Sequence, residues 1–244
     1  MRCSQNPPLQ ARLSGGSSSN PQNPGGMIWT KVELQRLAEL GQKYDVTIFV
    51  DEIHGDITFN EDGYVPFFSL PEKFLQDVVI AVSPSKTFNI AATHAATLFV
   101  PNAYLREVVD QGLHNDGLAG VNLTAIPASI AAYTQSHAWY HALLNYLKEN
   151  LELVEKTVQD HLANQVAVVP SAATYLVWLD ISALSHDSAT FADFLEKESG
   201  LILNPGTMYG EAGKGFVRMN VAYPRAVVED GLQRLIKAVK AWPK

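Results

Sequence analysis

A lysine follows a strand-like pattern in the segment 78–92, VVIAVSPSKTFNIAA. The apolar run VVIAV predicts a buried strand, and Lys86 lies just beyond its end in a polar stretch that begins with Ser83. Ligands of open α/β sheets bind at the carboxyl ends of the strands. A lysine there is suited to condense with the aldehyde of a cofactor. An ordinary solvated lysine is the simpler alternative, because most lysines are exposed to water.

Ser83 and Lys86 also have the S-x-x-K spacing of penicillin-binding proteins and β-lactamases, in which the serine is the nucleophile. That pattern requires a serine that opens a helix, together with S-D-N and K-T-G motifs elsewhere. Here Ser83 follows a predicted strand, and the nearest companion is K-T-F at 86–88, which lacks the glycine. The sequence therefore favours the cofactor-binding lysine.

An acidic residue ends the preceding predicted strand, VTIFV, and opens the segment DEIHGD. Pyridoxal phosphate is a cofactor with such an aldehyde, and it acts as an electron sink only while its ring nitrogen is protonated. A lysine that binds it therefore requires a carboxylate facing that nitrogen, and Asp51 is placed to provide one. The alternative is a divalent-metal site made of Asp51, His54 and Asp56, but no further Asp/His cluster completes its ligand shell. His137 and His141 have an i, i+4 spacing found in zinc sites, but they lack the accompanying glutamate and are predicted to lie on an ordinary helix face.

Two further polar residues stand where they could hold a ligand. Asn23 lies in NPQNPGG, ahead of a predicted helix, although Asn-Pro and Pro-Gly are also common turn dipeptides. Arg218 lies inside the apolar strand pattern GFVRMN, and its planar guanidinium is suited to bind a carboxylate. The alternative for Arg218 is an internal salt bridge.

The elements that must position these residues follow from the hydrophobic pattern. Thr30 and Glu33 have the spacing of a capping box at the start of a helix. The short apolar runs VTIFV, VVIAV and ATLFV predict a parallel sheet that is covered on both faces. A long amphipathic helix is predicted by apolar residues spaced three or four apart, namely Leu147, Leu151, Val154, Val158 and Leu162.

The second half of the chain has shorter patterns. Strands are predicted for VAVVP, TYLVWLD, LILNPG and GFVRMNVAYP. Helices are predicted for SATFADFLEKESG and for the apolar positions between 228 and 239. We therefore predict a large α/β domain over 20–135 and a smaller C-terminal α+β domain over 136–244. Residues 1–19 are rich in Ser, Gly, Pro, Asn and Gln and are predicted to be flexible or aberrant.

Composition excludes several classes of function. The net charge is −7, with 18 basic and 25 acidic residues among 244, and no cluster of basic residues occurs, so we expect neither a nucleic-acid nor a membrane partner. The single cysteine excludes an internal disulfide framework and fits a reducing compartment. No apolar run has membrane-spanning length, and the first residues lack the apolar core of a secretory signal, so we expect neither a membrane span nor secretion. The expected location is the cytoplasm.

Six phrases together resemble one family: NPQNPGGMIWT, VDEIHGDI, SPSKTFNIA, TYLVWLD, NPGTMYG and GFVRMN. From about residue 20 to the C-terminus, the sequence resembles the fold-type I pyridoxal-phosphate enzymes, which are the aspartate aminotransferase superfamily. Within that superfamily it looks most like the cystathionine β-lyase branch of C–S lyases. The resemblance implies a pyridoxal 5'-phosphate cofactor and part of the large domain of this fold, with a mostly parallel sheet and helices on both faces.

The resemblance also implies roles for individual residues. Lys86 corresponds to the lysine that binds the cofactor aldehyde and carries the proton taken from the substrate Cα. Asp51 corresponds to the partner of the pyridine nitrogen, Asn23 to the hydrogen-bond donor for the phenolic oxygen, and Ser83 to a ligand of the phosphate. His54 stands where many aminotransferases have tyrosine, and the lyase branch commonly has histidine at this position.

Arg218 corresponds to the residue that binds the substrate carboxylate. The implied reaction is β-elimination from an amino-acid thioether such as L-cystathionine, giving a thiol, pyruvate and ammonia, in an enzyme that forms homodimers. An aminotransferase is the alternative reaction, because it would use the same residues. The resemblance covers somewhat more than half of a typical member, so we expect an N-terminally truncated chain with weak cofactor retention, and a non-catalytic fragment is the third possibility.

Overall fold

Two four-stranded sheets and six α-helices form the described part of the computed structural model, which covers residues 15–59 and 63–243. The first sheet is built from the N-terminal 99 residues and the second from the C-terminal part of the chain. The predicted boundary between 135 and 136 falls where one helix ends and the next begins. The fold is therefore α/β in its first part and α+β in its second.

The first sheet has the strand order β1-β2-β3-β4. These strands are Gly15–Ser19, Thr47–Asp51, Val78–Val82 and Thr97–Phe99, and the helix α1, Lys31–Tyr44, connects the first two. β1, β2 and β3 are parallel, which confirms a mostly parallel sheet. β4 pairs with β3 in the antiparallel direction. This strand departs from the all-parallel pattern that its apolar sequence suggested.

The structure corrects the prediction for the N-terminal segment. Gly15–Ser19 is β1 and pairs residue by residue with Thr47–Asp51, so this part of 1–19 forms an edge strand of the first sheet. The sequence GGSSS has no apolar side chain to reveal a strand, but an edge strand is held by backbone hydrogen bonds that any non-proline residue can form. The rest of the predicted segment, 1–14, lies outside the described residues.

The helix α1 covers one face of the first sheet. It begins with the predicted capping box, in which the Thr30 side chain accepts from the Glu33 amide and Glu33 accepts from the Thr30 amide. Its buried residue Leu34 packs with Ile48 and Val50 of β2. Because side chains alternate along a strand, Asp51 lies on the opposite face from Val50. The helix therefore leaves the carboxyl end of β2 accessible on its other face.

Three helices follow the first sheet: α2, Ala103–Asn115; α3, Ala125–Gln135; and α4, His137–Leu162. α2 packs its Leu105 against Val79 of β3, on the face opposite α1, which confirms helices on both faces. α4 is the predicted long amphipathic helix. Its buried residues include all five that the spacing predicted, namely Leu147, Leu151, Val154, Val158 and Leu162.

The second sheet is antiparallel and has the order β5-β6-β8-β7. The remaining elements are β5, Ala167–Val168; β6, Leu176–Asp180; α5, Ser188–Ser199; β7, Asn204–Pro205; β8, Phe216–Asn220; and α6, Arg225–Ala241. α4, α5 and α6 pack their apolar faces on this sheet to form the largest core cluster. All the elements predicted in this half are present, although β5 and β7 are only two residues long.

The two sheets are joined next to the candidate site residues. Thr58, in the loop after β2, pairs with Ala173, just before β6, in an isolated antiparallel bridge. Gly26 also contacts this segment, because its carbonyl accepts the Ala172 amide at 3.2 Å. These contacts bring the carboxyl end of the first sheet close to one face of the second. Within 15–59 and 63–243, no helix has the length and apolar character to cross a membrane.

Candidate active site

Asp51 and His54 occupy the turn that follows β2. The Oδ1 atom of Asp51 accepts the amide of Ile53 at 3.0 Å, which holds the carboxylate at the strand end. His54 is 96% buried, since its relative exposure is 4%, and its ring meets Tyr175 edge-on with the ring centres 5.6 Å apart. Because Tyr175 immediately precedes β6, this contact places the histidine at the junction of the two sheets.

Three charged groups act on His54. Burial lowers the pKa of His54 from 6.5 to about 4; the Asp51 carboxylate raises it, whereas the Lys86 and Arg218 cations lower it further. The imidazole is therefore neutral at neutral pH. Its Nδ1 atom is buried and has no hydrogen-bond partner among the described residues. Residues that are far apart in sequence thus share one electrostatic environment.

Lys86 lies in the turn that follows β3, and its side chain is exposed. The turn is held by hydrogen bonds from the Phe88 amide to Pro84 O at 2.9 Å and from the Ile90 amide to Ser85 O at 3.1 Å. No helix begins at Ser83, as the S-x-x-K nucleophile would require. β2 and β3 are parallel neighbours, so the turn that carries Lys86 and the turn that carries Asp51 leave the sheet at the same edge.

Arg218 reaches the same region from β8. Its Nη1 donates to Asn23 Oδ1 at 3.0 Å and its Nη2 donates to Asn204 Oδ1 at 3.1 Å, while the guanidinium carbon lies 5.0 Å from the centre of the Tyr209 ring. Its Nε is buried without a partner. No salt bridge of Arg218 occurs in the described ranges, so the internal salt-bridge alternative is wrong there. Neutral amides orient the guanidinium but leave its charge uncompensated.

The loop 20–26 places Asn23 next to Arg218. Gly26 has φ +66° and donates its amide to Gln22 O at 2.7 Å, which closes the loop. A Cβ atom on Gly26 would lie 1.8 Å from Ser171 Oγ, so only glycine allows the loop to approach this close. Since Asn23 Oδ1 accepts from Arg218, its Nδ2 amide hydrogens remain available for another acceptor.

Ser83 has a different environment from the other predicted site residues. Its hydroxyl donates to Ala95 O at 2.7 Å and accepts the Ser85 amide at 3.2 Å, and the residue is buried. In this arrangement the hydroxyl hydrogen is already donated to the segment that precedes β4. Its predicted role as a phosphate ligand stays a prediction, and that role requires the hydroxyl to rotate.

The residues of the alternative metal sites do not converge. The Asp56 carboxylate is engaged by hydroxyl groups, because its Oδ2 accepts from Thr87 and Tyr133. The structured part of the chain contains no group of three or more residues with metal-ligating side chains. His137 and His141 contact each other on α4, with Nε2 atoms 3.4 Å apart, and both are exposed, as expected for an ordinary helix face.

Sequence reasoning missed three residues of the site. Tyr175 packs against His54, and Asn204 and Tyr209 hold the Arg218 guanidinium. All three lie in phrases that carried the family resemblance, TYLVWLD and NPGTMYG, but an isolated asparagine or tyrosine has no spacing signal. Their contribution depends on antiparallel pairing in the second sheet, where Asn204 of β7 stands directly opposite Arg218 of β8.

The sequence profile of the family described as aminotransferase class I and II matches residues 18–235. The chain belongs to this family. A curated relative, cystathionine beta-lyase PatB of Bacillus subtilis (strain 168), is 36% identical over 236 residues. Protein MalY of Escherichia coli (strain K12) is 35% identical over 223 residues. These matches confirm the resemblance that the six sequence phrases indicated.

A solved structure extends the comparison to three dimensions. Cystalysin of Treponema denticola, whose crystal structure contains pyridoxal 5'-phosphate, has a TM-score of 0.86 and 27% identity and aligns with 93% of this chain. The alignments cover 95% and 91% of this chain for PatB and MalY, but only 61% and 56% of those relatives and 57% of the cystalysin chain. This member of the aminotransferase class I and II family therefore spans less than two thirds of the length of these relatives.

Proposed function

We propose that the protein is a pyridoxal-phosphate-dependent C–S β-lyase, which converts L-cystathionine or a related cysteine S-conjugate to a thiol, pyruvate and ammonia. The observation that carries this proposal is geometric: the turns that carry Asp51 and Lys86 leave the first sheet at the same edge, and the adjoining loop 20–26 holds the Arg218 guanidinium through Asn23 at 3.0 Å. An amine, a carboxylate and an unneutralised guanidinium in one region are the groups that amino-acid chemistry on this cofactor requires. The similarity to cystathionine beta-lyase PatB supports the choice of reaction.

The residues fit the cofactor. Lys86 offers an exposed amine that would bind the aldehyde, and Asp51 would hold the proton on the ring nitrogen. The free Nδ2 group of Asn23 would donate to the phenolic oxygen, and the orphaned Nδ1 of His54 would gain a partner near the ring. A buried polar atom without a partner is costly, so the unpaired atoms of His54 and Arg218 favour a polar ligand at this edge.

Each residue has a distinct task in the reaction. Pyridoxal phosphate, when bound, supplies an electron sink for the electron pair that remains at the substrate Cα after deprotonation. Arg218 orients the substrate through its carboxylate, and Asn23 and Asn204 keep the guanidinium plane fixed. Lys86 takes the Cα proton onto Nζ as a general base. Asp51 would face the ring nitrogen and balance its positive charge.

Elimination and transamination differ in what happens after the Cα proton has moved to Lys86. In elimination the bond from Cβ to sulfur breaks, the thiolate leaves and takes up a proton, and water releases pyruvate and ammonia. Transamination would instead release the substrate as a keto acid, with its amino group passing through the cofactor to a second keto acid. The family description makes an aminotransferase the second candidate, whereas the identity to PatB favours elimination.

The test is to incubate the purified protein with pyridoxal phosphate and L-cystathionine in the absence of any keto acid. We expect pyruvate, followed with lactate dehydrogenase, and free thiol in equal amounts. Lys86→Ala is expected to abolish both products, because the base is lost. Lys156→Ala is the matched control, since Lys156 is an exposed lysine on α4 away from the site.

Three outcomes separate the candidates. Pyruvate that forms only when a keto-acid acceptor is present would support the aminotransferase. A borohydride-reducible adduct at Lys86 without either reaction would support a cofactor-binding chain that is not catalytic. The absence of any adduct at Lys86 would contradict the proposed cofactor chemistry altogether.

We also propose that the protein acts as a homodimer in the cytoplasm. A surface from residue 118 to 133 carries large apolar side chains that are more than half exposed, namely Leu118, Val121, Leu123, Ile126, Ile130 and Tyr133. Exposed patches of this kind mark interaction surfaces. A light-scattering mass of two chains that falls to one in Ile126→Asp/Ile130→Asp would support the dimer, and a monomeric wild type would contradict it.

The proposed location in the cytoplasm is supported by the cysteine content. The single cysteine agrees with a reducing compartment.

A further inference from the structure

Lys86 is an exposed residue between two buried polar neighbours. Ser85 is 8% exposed and Thr87 is 1% exposed. The Ser85 amide donates to Ser83 Oγ at 3.2 Å, which holds the turn on the N-terminal side of Lys86. On the C-terminal side, the Thr87 hydroxyl donates to Asp56 Oδ2 at 3.1 Å. The backbone that carries the amine is therefore held on both sides, and one of the two attachments depends on Asp56.

Asp56 connects this turn to several other elements. Its Oδ2 also accepts from Tyr133 OH of α3 at 3.3 Å, and its carbonyl accepts from Tyr140 OH of α4 at 2.7 Å. Phe88, next to Thr87, contacts both tyrosine rings. Burial raises the pKa of Asp56, whereas the hydroxyls of Thr87 and Tyr133 lower it. One carboxylate thus lies at the contact between the turn that carries Lys86 and two helices.

We infer that Asp56 is a positioning residue that holds the Lys86 amine in place relative to Asp51 and His54. Asp56 lies in the turn after β2, two residues beyond His54, and the Ile57 amide donates to His54 O at 2.9 Å. The hydrogen bond to Thr87 therefore joins the turn that carries Asp51 and His54 directly to the turn that carries Lys86. The claim that Asp56 positions the Lys86 amine for reaction rests on the proposed function. The claim that Asp56 orders the turn does not.

The physical reason is the cost of an unpaired group. Thr87 is almost fully buried, so its hydroxyl must find an acceptor or lose the hydrogen bonds it makes with water. Asp56 Oδ2 is that acceptor, and a hydrogen bond to a carboxylate is stronger than one to a neutral oxygen. A flexible turn would spread Nζ of Lys86 over many positions, and reaction rates depend steeply on the placement of the reacting group.

Two measurements test the inference. The first is amide hydrogen exchange of the turn, whose Phe88 and Ile90 amides are hydrogen-bonded within it. We expect Asp56→Ala to accelerate their exchange by about tenfold or more, the effect of losing a hydrogen bond to a charged group. Asp56→Asn should restore most of the protection, because its amide oxygen still accepts from Thr87. The amides of α6 should not change.

The second measurement is borohydride trapping of pyridoxal phosphate, with the labelled lysines identified by mass spectrometry. We expect Asp56→Ala to lower the rate of labelling at Lys86 by about tenfold relative to the other lysines. Thr87→Val and Thr87→Ser form a matched pair that differs mainly in the hydroxyl, so only the valine variant should reproduce the loss. Asp160→Ala, an exposed aspartate of α4, is the control for the loss of a charge.

The outcomes distinguish this inference from the proposed function. Wild-type protection and wild-type labelling in folded Asp56→Ala and Thr87→Val would overturn the positioning role of Asp56. A wild-type protein without label at Lys86 would count against the proposed cofactor, and the exchange data would then decide the role of Asp56 alone. Should Asp56→Ala fail to fold, the Thr87 pair provides the same comparison.

Discussion

Replacing Gly26 with alanine is expected to destabilise the protein through two separate effects. The residue has φ +66°, a left-handed conformation that costs an ordinary residue about 1–2 kcal/mol. The new Cβ atom would also lie 1.8 Å from Ser171 Oγ and 2.6 Å from the carbonyl oxygen of Ala173. Ser171 cannot simply rotate away, because its Oγ donates to the same carbonyl at 2.6 Å.

The sum of the two effects sets the expected magnitude. Forcing an additional carbon into packed structure costs about 1–3 kcal/mol. With the backbone term, the loss for Gly26→Ala is about 2–5 kcal/mol, which corresponds to a decrease in melting temperature of about 4–20 °C for a chain of this length. Because the loop 20–26 carries Asn23, the same change is expected to separate Asn23 from Arg218 and to weaken substrate binding.

Circular dichroism during thermal and urea unfolding is the assay. Gly120→Ala is the control, since the φ of Gly120 is not left-handed and a Cβ there would have no atom within 4 Å, so the stability of this variant should change little. Adding Ser171→Ala to Gly26→Ala removes the shortest contact and should recover part of the loss. If Gly26→Ala melts within about 2 °C of Gly120→Ala, the reasoning from the backbone angle and the close contact is refuted.

Three further predictions concern stability. Thr30→Ala removes the capping box of α1 and should cost about 1 kcal/mol in urea unfolding, whereas an equal loss in Thr30→Ser would argue against the cap. Burial lowers the pKa of His54 from 6.5 to about 4, so as the pH falls through this window the unfolded chain takes up a proton before the folded chain does. Relative to His54→Gln, the free energy of unfolding of the wild type should be unchanged above pH 6.5 and should fall by up to about 3 kcal/mol by pH 4. The same pH dependence of this free energy in both proteins, measured by urea unfolding, would contradict the prediction. Leu179→Ala, at a residue with 0% exposure, should cost about 2–5 kcal/mol, and Leu123→Ala, with 86% exposure, less than about 0.5; similar losses would disprove the assignment of the core.

Secondary structure was largely predictable because local patterns report it. The capping box of α1 and the apolar spacing of α4 are short-range features, and both were confirmed. β1 was missed because GGSSS has no side chains that reveal burial, and its pairing with β2 is a backbone interaction between distant segments. The direction of β4 was also not predictable, since an apolar run has the same composition in parallel and antiparallel strands.

The candidate site was predicted in part. Lys86 and Asp51 stood out because each follows an apolar strand, and Arg218 because a charge interrupts one. The contacts of Arg218 with Asn23 and Asn204 join residues 195 and 14 positions apart in sequence, so no local spacing could reveal them. The environment of Ser83 was not anticipated either, because its partner Ala95 is brought back by the path of the chain between β3 and β4.

The sequence by itself determined which segments form helices and strands, which residue types meet the needs of amino-acid chemistry, and which family the chain resembles. It did so because periodicity, capping and motif order are properties of neighbouring residues. Only the tertiary structure decided that Arg218 is held by neutral amides, that His54 is buried and neutral, and that Asp56 faces Thr87. These properties depend on contacts between segments that are distant in sequence. Such contacts are set by the packing of the whole chain, so local sequence patterns do not reveal them.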